Sequence, residues 1–184
     1  MSERRFPDEP AGDFEAPPVA FADKEGREIE IRAFDGDEDE RDALVEMYDT
    51  FDPADRAQGI PPGGEDRIRE WLDNILAGDC LNVIAWDGAD AAGHATLVPD
   101  DTDTFELAIF VHQEYQEAGI GTGLIRALLG HGQAHDVGTV WLTVERWNRA
   151  AVSLYKKIGF ETSDAESFEL EMTIRLHESD EDDE

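Results

Sequence analysis

A glycine-rich stretch at residues 116–123 constrains the fold of this chain more than any other feature. It reads Gln-Glu-Ala-Gly-Ile-Gly-Thr-Gly and lies between an apolar run at residues 105–111 and a helical pattern at residues 120–129. Glycines at a strand-to-helix turn adopt dihedral angles that other residues avoid, and the first amide N–H groups of a helix can bind an anion. The stretch predicts either a diphosphate site or a tight turn that binds no ligand.

Two common phosphate-binding motifs do not fit this stretch. A P-loop needs Lys and then Ser or Thr after its last glycine, whereas Leu124 and Ile125 follow Gly123. A dinucleotide-binding motif that starts at Gly119 needs its third glycine at position 124. The spacing excludes both.

Changes of hydrophobic period along the chain predict one domain of mixed helices and strands. Strands are predicted at residues 29–33, 81–86, 93–98, 105–111, 140–144 and 168–176, with a further short strand near residue 161. Helices are predicted at residues 37–48, 68–76, 120–129 and 149–158. Glycines at 130 and 132 are expected to end the third helix, and the Pro- and Gly-rich residues 52–65 to form a loop.

The two ends of the chain differ from the part between them. Residues 1–26 contain four prolines and no sustained period, which predicts a flexible or loosely docked N-terminal extension. Residues 178–184 are almost all acidic and predict a solvated tail. The folded domain is therefore expected at residues 27–177.

Acidic residues dominate the composition. The chain has 45 Asp and Glu against 15 Lys and Arg, a formal charge of −30. Such a polyanion repels phosphate, so we expect neither a nucleic-acid partner nor a membrane partner. Only three of the 15 cations are Lys. High acidity with few Lys is typical of a salt-saturated cytoplasm, such as that of a halophilic archaeon, where counterions screen self-repulsion.

Three further observations narrow the class of protein. The single cysteine, Cys80, excludes an intramolecular disulfide and a Cys-rich metal site. His131 and His135 are four residues apart, but no third ligand is evident, so we expect no metal. No apolar run approaches the roughly 18 residues of a membrane span, and the N-terminus lacks the apolar region of a signal peptide. We expect a soluble, cytoplasmic protein.

A second motif follows the glycine-rich stretch. Asn148 begins Asn-x-x-Ala-x-x-Leu-Tyr-x-x-x-Gly-Phe, which ends at Phe160. Together with Gln-x-x-Gly-x-Gly from Gln116, it resembles the acyl-CoA-binding signature of the GNAT superfamily of N-acetyltransferases. The likeness covers about residues 28–176. It implies an α+β, three-layer fold with helices on both faces of a mixed, mostly antiparallel sheet. That sheet would splay between the strand ending at Val111 and the strand at residues 140–144.

The resemblance also implies that acetyl-CoA is a co-substrate bound in the gap of the sheet. Its pantetheine arm would pair with strand backbone, and its diphosphate would bind the amides of residues 117–122. The cofactor-binding residues implied are Ile109, Phe110, Val111, Gln116, Glu117, Ala118, Gly119, Ile120, Gly121, Thr122 and Asn148. Glu117 departs from the family's usual glycine and places an anion near phosphate. Asn148 either contacts the cofactor or caps the following helix.

Acetyl transfer to an amine needs a base and stabilisation of the departing thiolate. Tyr155 matches the tyrosine that often acts as general acid in the family. Full proton transfer from an ordinary tyrosine to the thiolate is uphill by roughly 2 kcal/mol, so hydrogen-bond donation describes its role better. Glu106 matches a frequent family glutamate and is the expected base, with Glu145 as a rival. The alternatives are that Tyr155 is a core residue and that Glu106 and Glu145 are surface anions.

The resemblance predicts an N-acetyltransferase that moves an acetyl group from acetyl-CoA to a primary amine by direct attack in a ternary complex. The acceptor is a small molecule or a protein amine, selected by the loop at residues 52–65, and the acidic surface favours a cationic amine. The sequence leaves a homodimer open. The alternative is a non-catalytic module of the same fold that senses CoA or binds a protein.

Overall fold

The computed structural model describes residues 4–55, 61–100, 104–165 and 168–178. Its helices are α1 (Glu38–Asp49), α2 (Glu65–Ile75), α3 (Ile120–Ala134) and α4 (Arg149–Ile158). Its strands are β1 (Val19–Ala22), β2 (Glu28–Ala33), β3 (Leu81–Asp87), β4 (Asp90–Pro99), β5 (Phe105–Val111), β6 (Thr139–Glu145), β7 (Glu161–Ala165) and β8 (Glu169–Arg175). Short 3-10 turns lie at Pro53–Asp55 and Gln113–Tyr115.

All eight strands form one sheet in the order β1-β2-β3-β4-β5-β6-β8-β7. Neighbouring strands are antiparallel except β5 and β6, which are parallel. The β5–β6 pair joins only Phe105 to Val140 and Glu106 to Trp141, whereas β5 pairs with β4 along its whole length. The sheet therefore splays between β5 and β6, and the predicted fold class is confirmed.

Each face of the sheet carries its own hydrophobic core. On one face α1 and α2 bury Tyr48 and Leu72 against alternate residues of β3 such as Ile84. On the other face α3 buries Leu124 against Val83 and its neighbours, and α4 adds Tyr155 to the same core. Successive strand residues point to opposite faces, so β3 serves both cores at once. Helices on both faces complete the three layers.

The glycines of α3 have a different role from the one predicted. The helix runs through Gly130 and Gly132 to Ala134, so the expectation that they end it is wrong. A Cβ at Gly130 would overlap the backbone of Glu15, and a Cβ at Gly123 would lie 2.8 Å from the Phe21 ring. Glycine destabilises a helix interior by about 1 kcal/mol, but here it makes room for the chain that precedes β2.

Residues 4–18, here called the N-terminal segment, lie against the domain. The side chain of Gln133 on α3 donates to the Gly12 carbonyl at 2.6 Å and accepts from the Phe14 amide at 2.8 Å. The Arg175 guanidinium donates to the Pro7 carbonyl, also at 2.6 Å. Beyond the segment, β1 pairs with β2, a strand that the period of the sequence did not predict. The predicted extension thus makes ordered contacts with the sheet and α3.

The remaining predicted elements are present, but β4 begins three residues before the predicted strand at 93–98 and α2 three residues before the predicted helix at 68–76. The short strand near residue 161 is β7, and Gly159, with φ of 133°, caps α4. Residues 56–60 of the predicted loop and residues 179–184 of the predicted tail lie outside the described residues. Among the residues described, no helix combines the length and the apolar character needed to cross a membrane.

Candidate active site

The splay leaves one edge of β5 open. Beyond Glu106, residues 107–111 pair with β4 on one side, and the described part of β6 pairs with none of them on the other. Backbone N–H and C=O groups along such an edge can pair with an extended ligand in the manner of an added strand. Ile109, Phe110 and Val111, predicted to bind the cofactor, lie on this edge and are each partly buried.

The N-terminus of α3 lies beside the open edge. A Cβ at Gly121 would be 3.9 Å from the side chains of both Ile109 and Val111, which fixes the first turn of α3 against β5. Gln116 strengthens this junction because its side-chain amide donates to the Val111 carbonyl at 3.1 Å. The structure therefore brings the predicted strand residues and the predicted glycine-rich turn together.

The turn itself has the geometry of an anion site. Glu117 and Gly119 adopt left-handed backbone, with φ of 62° and 93°, and α3 then begins at Ile120. The amides of a first helical turn have no intrahelical partner, and the positive end of the helix dipole lies there. No acidic residue occupies that first turn. Glu117 is exposed beside it, whereas the side chains of Ala118 and Ile120 are buried and anchor the turn.

Asn148 caps α4. Its side-chain oxygen accepts a hydrogen bond from the Ala151 amide at 3.3 Å. This contact accounts for an asparagine at the N-cap. Contact between Asn148 and a cofactor stays a prediction.

Tyr155 belongs to the core on the α3 side. It is 8% exposed, and its ring packs against Phe160 with centroids 5.7 Å apart. Burial raises the pKa of Tyr155 to about 12. Its hydroxyl forms no hydrogen bond with any other residue in the described ranges. A neutral, well-held hydroxyl of this kind can donate to a ligand atom but gives up its proton with difficulty.

Glu106 lies where the splay begins. It forms the last β5–β6 pair with Trp141 and points to the sheet face covered by α1 and α2, since Phe110 packs there four residues later. Desolvation raises the pKa of Glu106, the Asp100 carboxylate raises it further, and the Arg4 guanidinium opposes both. Such a carboxylate can attract an ammonium ion and accept its proton.

The rival base lies elsewhere in the opening. Glu145 is the last residue of β6, four residues beyond Trp141, and pairs with Glu169 of β8. Four strand residues span about 13 Å, so Glu145 lies at the mouth of the splay and Glu106 at its closed end. The two carboxylates therefore lie at different depths of the same opening.

One cluster beside Glu106 was not predicted from the sequence. Asp100 accepts a hydrogen bond from the Trp141 indole at 2.8 Å, and the Arg4 guanidinium stacks on the Trp141 ring at 3.6 Å. Arg4 also pairs with Glu171 at 2.7 Å and with Asp100 at 3.5 Å. Arg4 and Glu171 are 167 residues apart in the chain, so no local pattern could have indicated their contact.

The start of the predicted acceptor loop is tied to the glycine-rich turn. Gln113 donates to the Thr50 carbonyl at 2.7 Å and accepts from the Asp52 amide at 2.9 Å. The loop therefore leaves α1 next to the connection that leads into α3. Across the described ranges, no group of three or more His, Cys, Asp or Glu side chains has an arrangement that could hold a metal ion.

Comparison with known proteins assigns the family. The sequence model of the acetyltransferase (GNAT) family matches residues 42–160, which include most of α1, the splay, α3 and α4. The chain belongs to this family.

Relatives and solved structures add detail. The chain is 36% identical over 64 residues to the ribosomal protein bS18-alanine N-acetyltransferase of Escherichia coli, a match that covers 35% of this chain and 42% of that enzyme. It thus spans less than half the length of this relative. The GNAT domain of S. lividans PAT has the same fold, with a TM-score of 0.69 at 13% identity over 86% of this chain and 96% of that one. So does yncA of Salmonella typhimurium, solved with its cofactor acetyl-CoA, with a TM-score of 0.62 at 16% identity over 82% and 96% of the two chains.

Proposed function

We propose that this protein transfers an acetyl group from acetyl-CoA to a primary amine by direct attack within a ternary complex. One observation carries the proposal: the open edge of β5 lies against the N-terminus of α3, so that strand backbone and helix amides face the same opening. An extended thioester with a diphosphate at its far end needs this combination of groups. The acetyl-CoA bound to yncA, which shares the fold, supports the choice of ligand.

Acetyl-CoA would bind with its diphosphate on the amides of residues 117–122 and its pantetheine along Ile109, Phe110 and Val111. Gln116 holds the glycine-rich turn next to the end of β5 through its hydrogen bond to the Val111 carbonyl. Asn148, at the start of α4, would contact the arm from the other side of the opening. The thioester would then reach toward the closed end of the splay.

Acetyl transfer to an ammonium ion releases one proton overall. The acceptor enters as an ammonium ion and gives one proton to Glu106, directly or through water. The amine nitrogen then attacks the thioester carbonyl carbon, a C–N bond forms, the C–S bond breaks and the nitrogen loses a second proton. The CoA thiolate leaves and takes up one proton, so that one proton is released overall.

Tyr155 would stabilise the departing thiolate as a hydrogen-bond donor. With a pKa of about 12 against about 8.5 for a thiol, full transfer of its proton is uphill by about 5 kcal/mol. This exceeds the roughly 2 kcal/mol expected for an ordinary tyrosine. The proton that neutralises the thiolate therefore comes from solvent or from the attacking amine.

For the acceptor we propose the N-terminal amine of a protein. The relative from Escherichia coli acts on an alanine of ribosomal protein bS18, and its match lends support to a peptide acceptor. The charge of −30 favours any cationic acceptor, including the positively charged N-terminus of a basic protein. The loop that begins at Asp52 would contribute to selecting it.

The test measures thiol release from acetyl-CoA with a panel of amines at high KCl. The panel holds peptides that begin with alanine, the same peptides with blocked N-termini, lysine, and polyamines. Calorimetry measures CoA binding in parallel. Turnover with free but not blocked peptides supports the proposal. Binding without turnover would favour a CoA sensor, and the absence of both would refute both functions.

A further inference from the structure

The N-terminal segment reaches the site where the acceptor amine would react. Glu106, Trp141 and Thr173 lie side by side across β5, β6 and β8, on the face that α1 and α2 cover over the first half of the sheet. The Thr173 hydroxyl donates to the Arg5 carbonyl at 2.8 Å, and Arg175 binds Pro7 on the same face. The start of the segment therefore covers β6 and β8 next to Glu106.

Arg4 is the charged residue at the start of the N-terminal segment. Its guanidinium lies flat on the Trp141 ring, 3.6 Å from the centroid, and forms ion pairs with Glu171 and Asp100. The side chains of Arg4, Asp100 and Glu171 are 31%, 22% and 21% exposed, so these contacts are partly shielded from water. A guanidinium suits this place because it stacks on an aromatic ring and pairs with two carboxylates at once.

The cluster determines which carboxylate meets the substrate. Asp100 is held by Thr104 at 2.7 Å and by the Trp141 indole, and Glu171 is paired with Arg4. Without Arg4, the Asp100 carboxylate would act on Glu106 with no cation to oppose it, and such repulsion favours the protonated form of Glu106. With Arg4 present, Asp100 and Glu171 each have a cationic partner.

We propose that Arg4 is a positioning residue of the acetyl-transfer site: by holding Asp100, Trp141 and Glu171 together, it leaves Glu106 as the carboxylate that meets the acceptor ammonium. The inference rests on the proposed function and adds to it that the N-terminal segment forms one wall of the acceptor site. The charged groups that act on Glu106 are Arg4 from this segment and Asp100 from the loop after β4. Removal of the Arg4 charge should therefore raise the pKa of Glu106.

The experiment compares Arg4→Gln with Arg5→Gln. Both variants lose one positive charge from adjacent positions, but the Arg5 side chain is exposed and binds through its carbonyl, which the substitution keeps. The measurement is kcat/KM against pH, at low and at high KCl, with CoA binding and thermal melting as checks on the fold. Arg4→Lys keeps the charge and loses the planar stack.

Arg4→Gln should shift the acidic limb of the profile to higher pH by about 0.5 to 1 unit, with unchanged CoA affinity. Arg4→Lys should shift it less, Arg5→Gln should leave it in place, and Glu106→Gln should abolish it. An acidic limb in Arg4→Gln that coincides with that of wild type or of Arg5→Gln would overturn this inference while leaving the proposed function standing. A wild-type protein that transfers acetyl to no amine would overturn the proposed function as well.

Discussion

Glu117 and Asp136 flank α3 at its two ends, and both adopt left-handed backbone, with φ of 62° and 64°. Left-handed backbone costs a residue with a Cβ about 1 kcal/mol, so each acid strains its turn to a similar degree. The two differ in their surroundings. Glu117 lies in the proposed diphosphate site, whereas Asp136 lies at the negative end of the helix.

Glu117→Gly should strengthen CoA binding because it removes an anion that repels the diphosphate. We expect about a fivefold lower Kd at low salt, the equivalent of about 1 kcal/mol. Multimolar KCl should shrink the gain because it screens the carboxylate. Calorimetric titration of CoA at several KCl concentrations measures both effects.

Asp136→Gly is the matched control for this change. It relieves the same backbone strain and removes the same charge at the far end of α3. Asp136→Gly should melt at the higher temperature, because it removes an anion from the negative end of the helix dipole, and only Glu117→Gly should alter CoA affinity. Equal affinity changes in the two variants would show that the charge acts through the global field and not at a local site.

Tyr155→Phe tests the hydrogen bond to the leaving thiolate. The ring packs in the core beside Phe160, and the hydroxyl has no partner in the described part of the chain, so folding should be unaffected. We expect kcat to fall about 100-fold, the usual loss for one aligned donor to a developing anion, with unchanged CoA affinity. A kcat within twofold of wild type would exclude this role.

Tyr115→Phe is the control for the loss of a partly buried tyrosine hydroxyl. The pKa of Tyr115 is also raised to about 12, by burial and by its hydrogen bond to Asp87 at 2.9 Å. That hydroxyl is hydrogen-bonded to the last residue of β3, which is separated from the splay by β4. The control should lose some stability and keep its kcat.

The sequence predicted those elements that carry their own local pattern. The α4 helix has an Asn cap, a strongly one-sided apolar face and a terminal glycine, and its predicted bounds match the structure. The β2 strand alternates buried Ile29 and Ile31 with exposed charged residues, and it too lies where predicted. Local signals suffice in these cases because the capping residue, the hydrophobic period and the terminating residue all lie within one segment.

The sequence failed where the structural reason lies far away in the chain. Gly130 lies within α3 where a Cβ would overlap the backbone of Glu15, and β1 pairs with β2 while its Phe21 packs where a Cβ at Gly123 would lie. The role of Arg4 depends on Trp141 and Glu171, more than 130 residues away. Such contacts arise from tertiary packing, which no window of neighbouring residues contains.

His94 should make the free energy of unfolding depend on pH. The Tyr48 hydroxyl lies 2.6 Å from Nδ1 of His94, and Asn82 Oδ1 lies 2.7 Å from Nε2, with all three side chains buried. Asn82 Oδ1 can only accept, so Nε2 of His94 carries a proton. Burial lowers the pKa of His94 to about 3.

The sign of the effect follows from the two states. Between pH 6.5 and about 3 the unfolded chain binds a proton on His94 and the folded chain does not. The free energy of unfolding should therefore fall by about 1.4 kcal/mol for each pH unit below 6.5. Denaturant unfolding at several pH values measures this slope, which should be absent from His94→Asn after its lower baseline is subtracted.

His177→Asn is the control for replacing a histidine by asparagine outside the core. His177 is exposed, and its ring bonds only to the Gln133 carbonyl among the described residues. Its variant should keep the wild-type slope. A His94→Asn variant that also keeps the wild-type slope would show that carboxylates, and not His94, set the pH dependence.

Salt should stabilise this protein strongly because its charge of −30 is spread over the whole chain. At about 0.1 M salt the screening length is about 10 Å, so each carboxylate feels many others, whereas at 3 M it falls below about 3 Å. Repulsion is stronger in the compact folded state than in the expanded chain, and screening therefore favours folding. Thermal melting in KCl should show a rising Tm over this range, as should melting in NaCl, since screening does not depend on the cation. A Tm that is equal at both ends would mean that the acidic residues are tolerated without help from counterions.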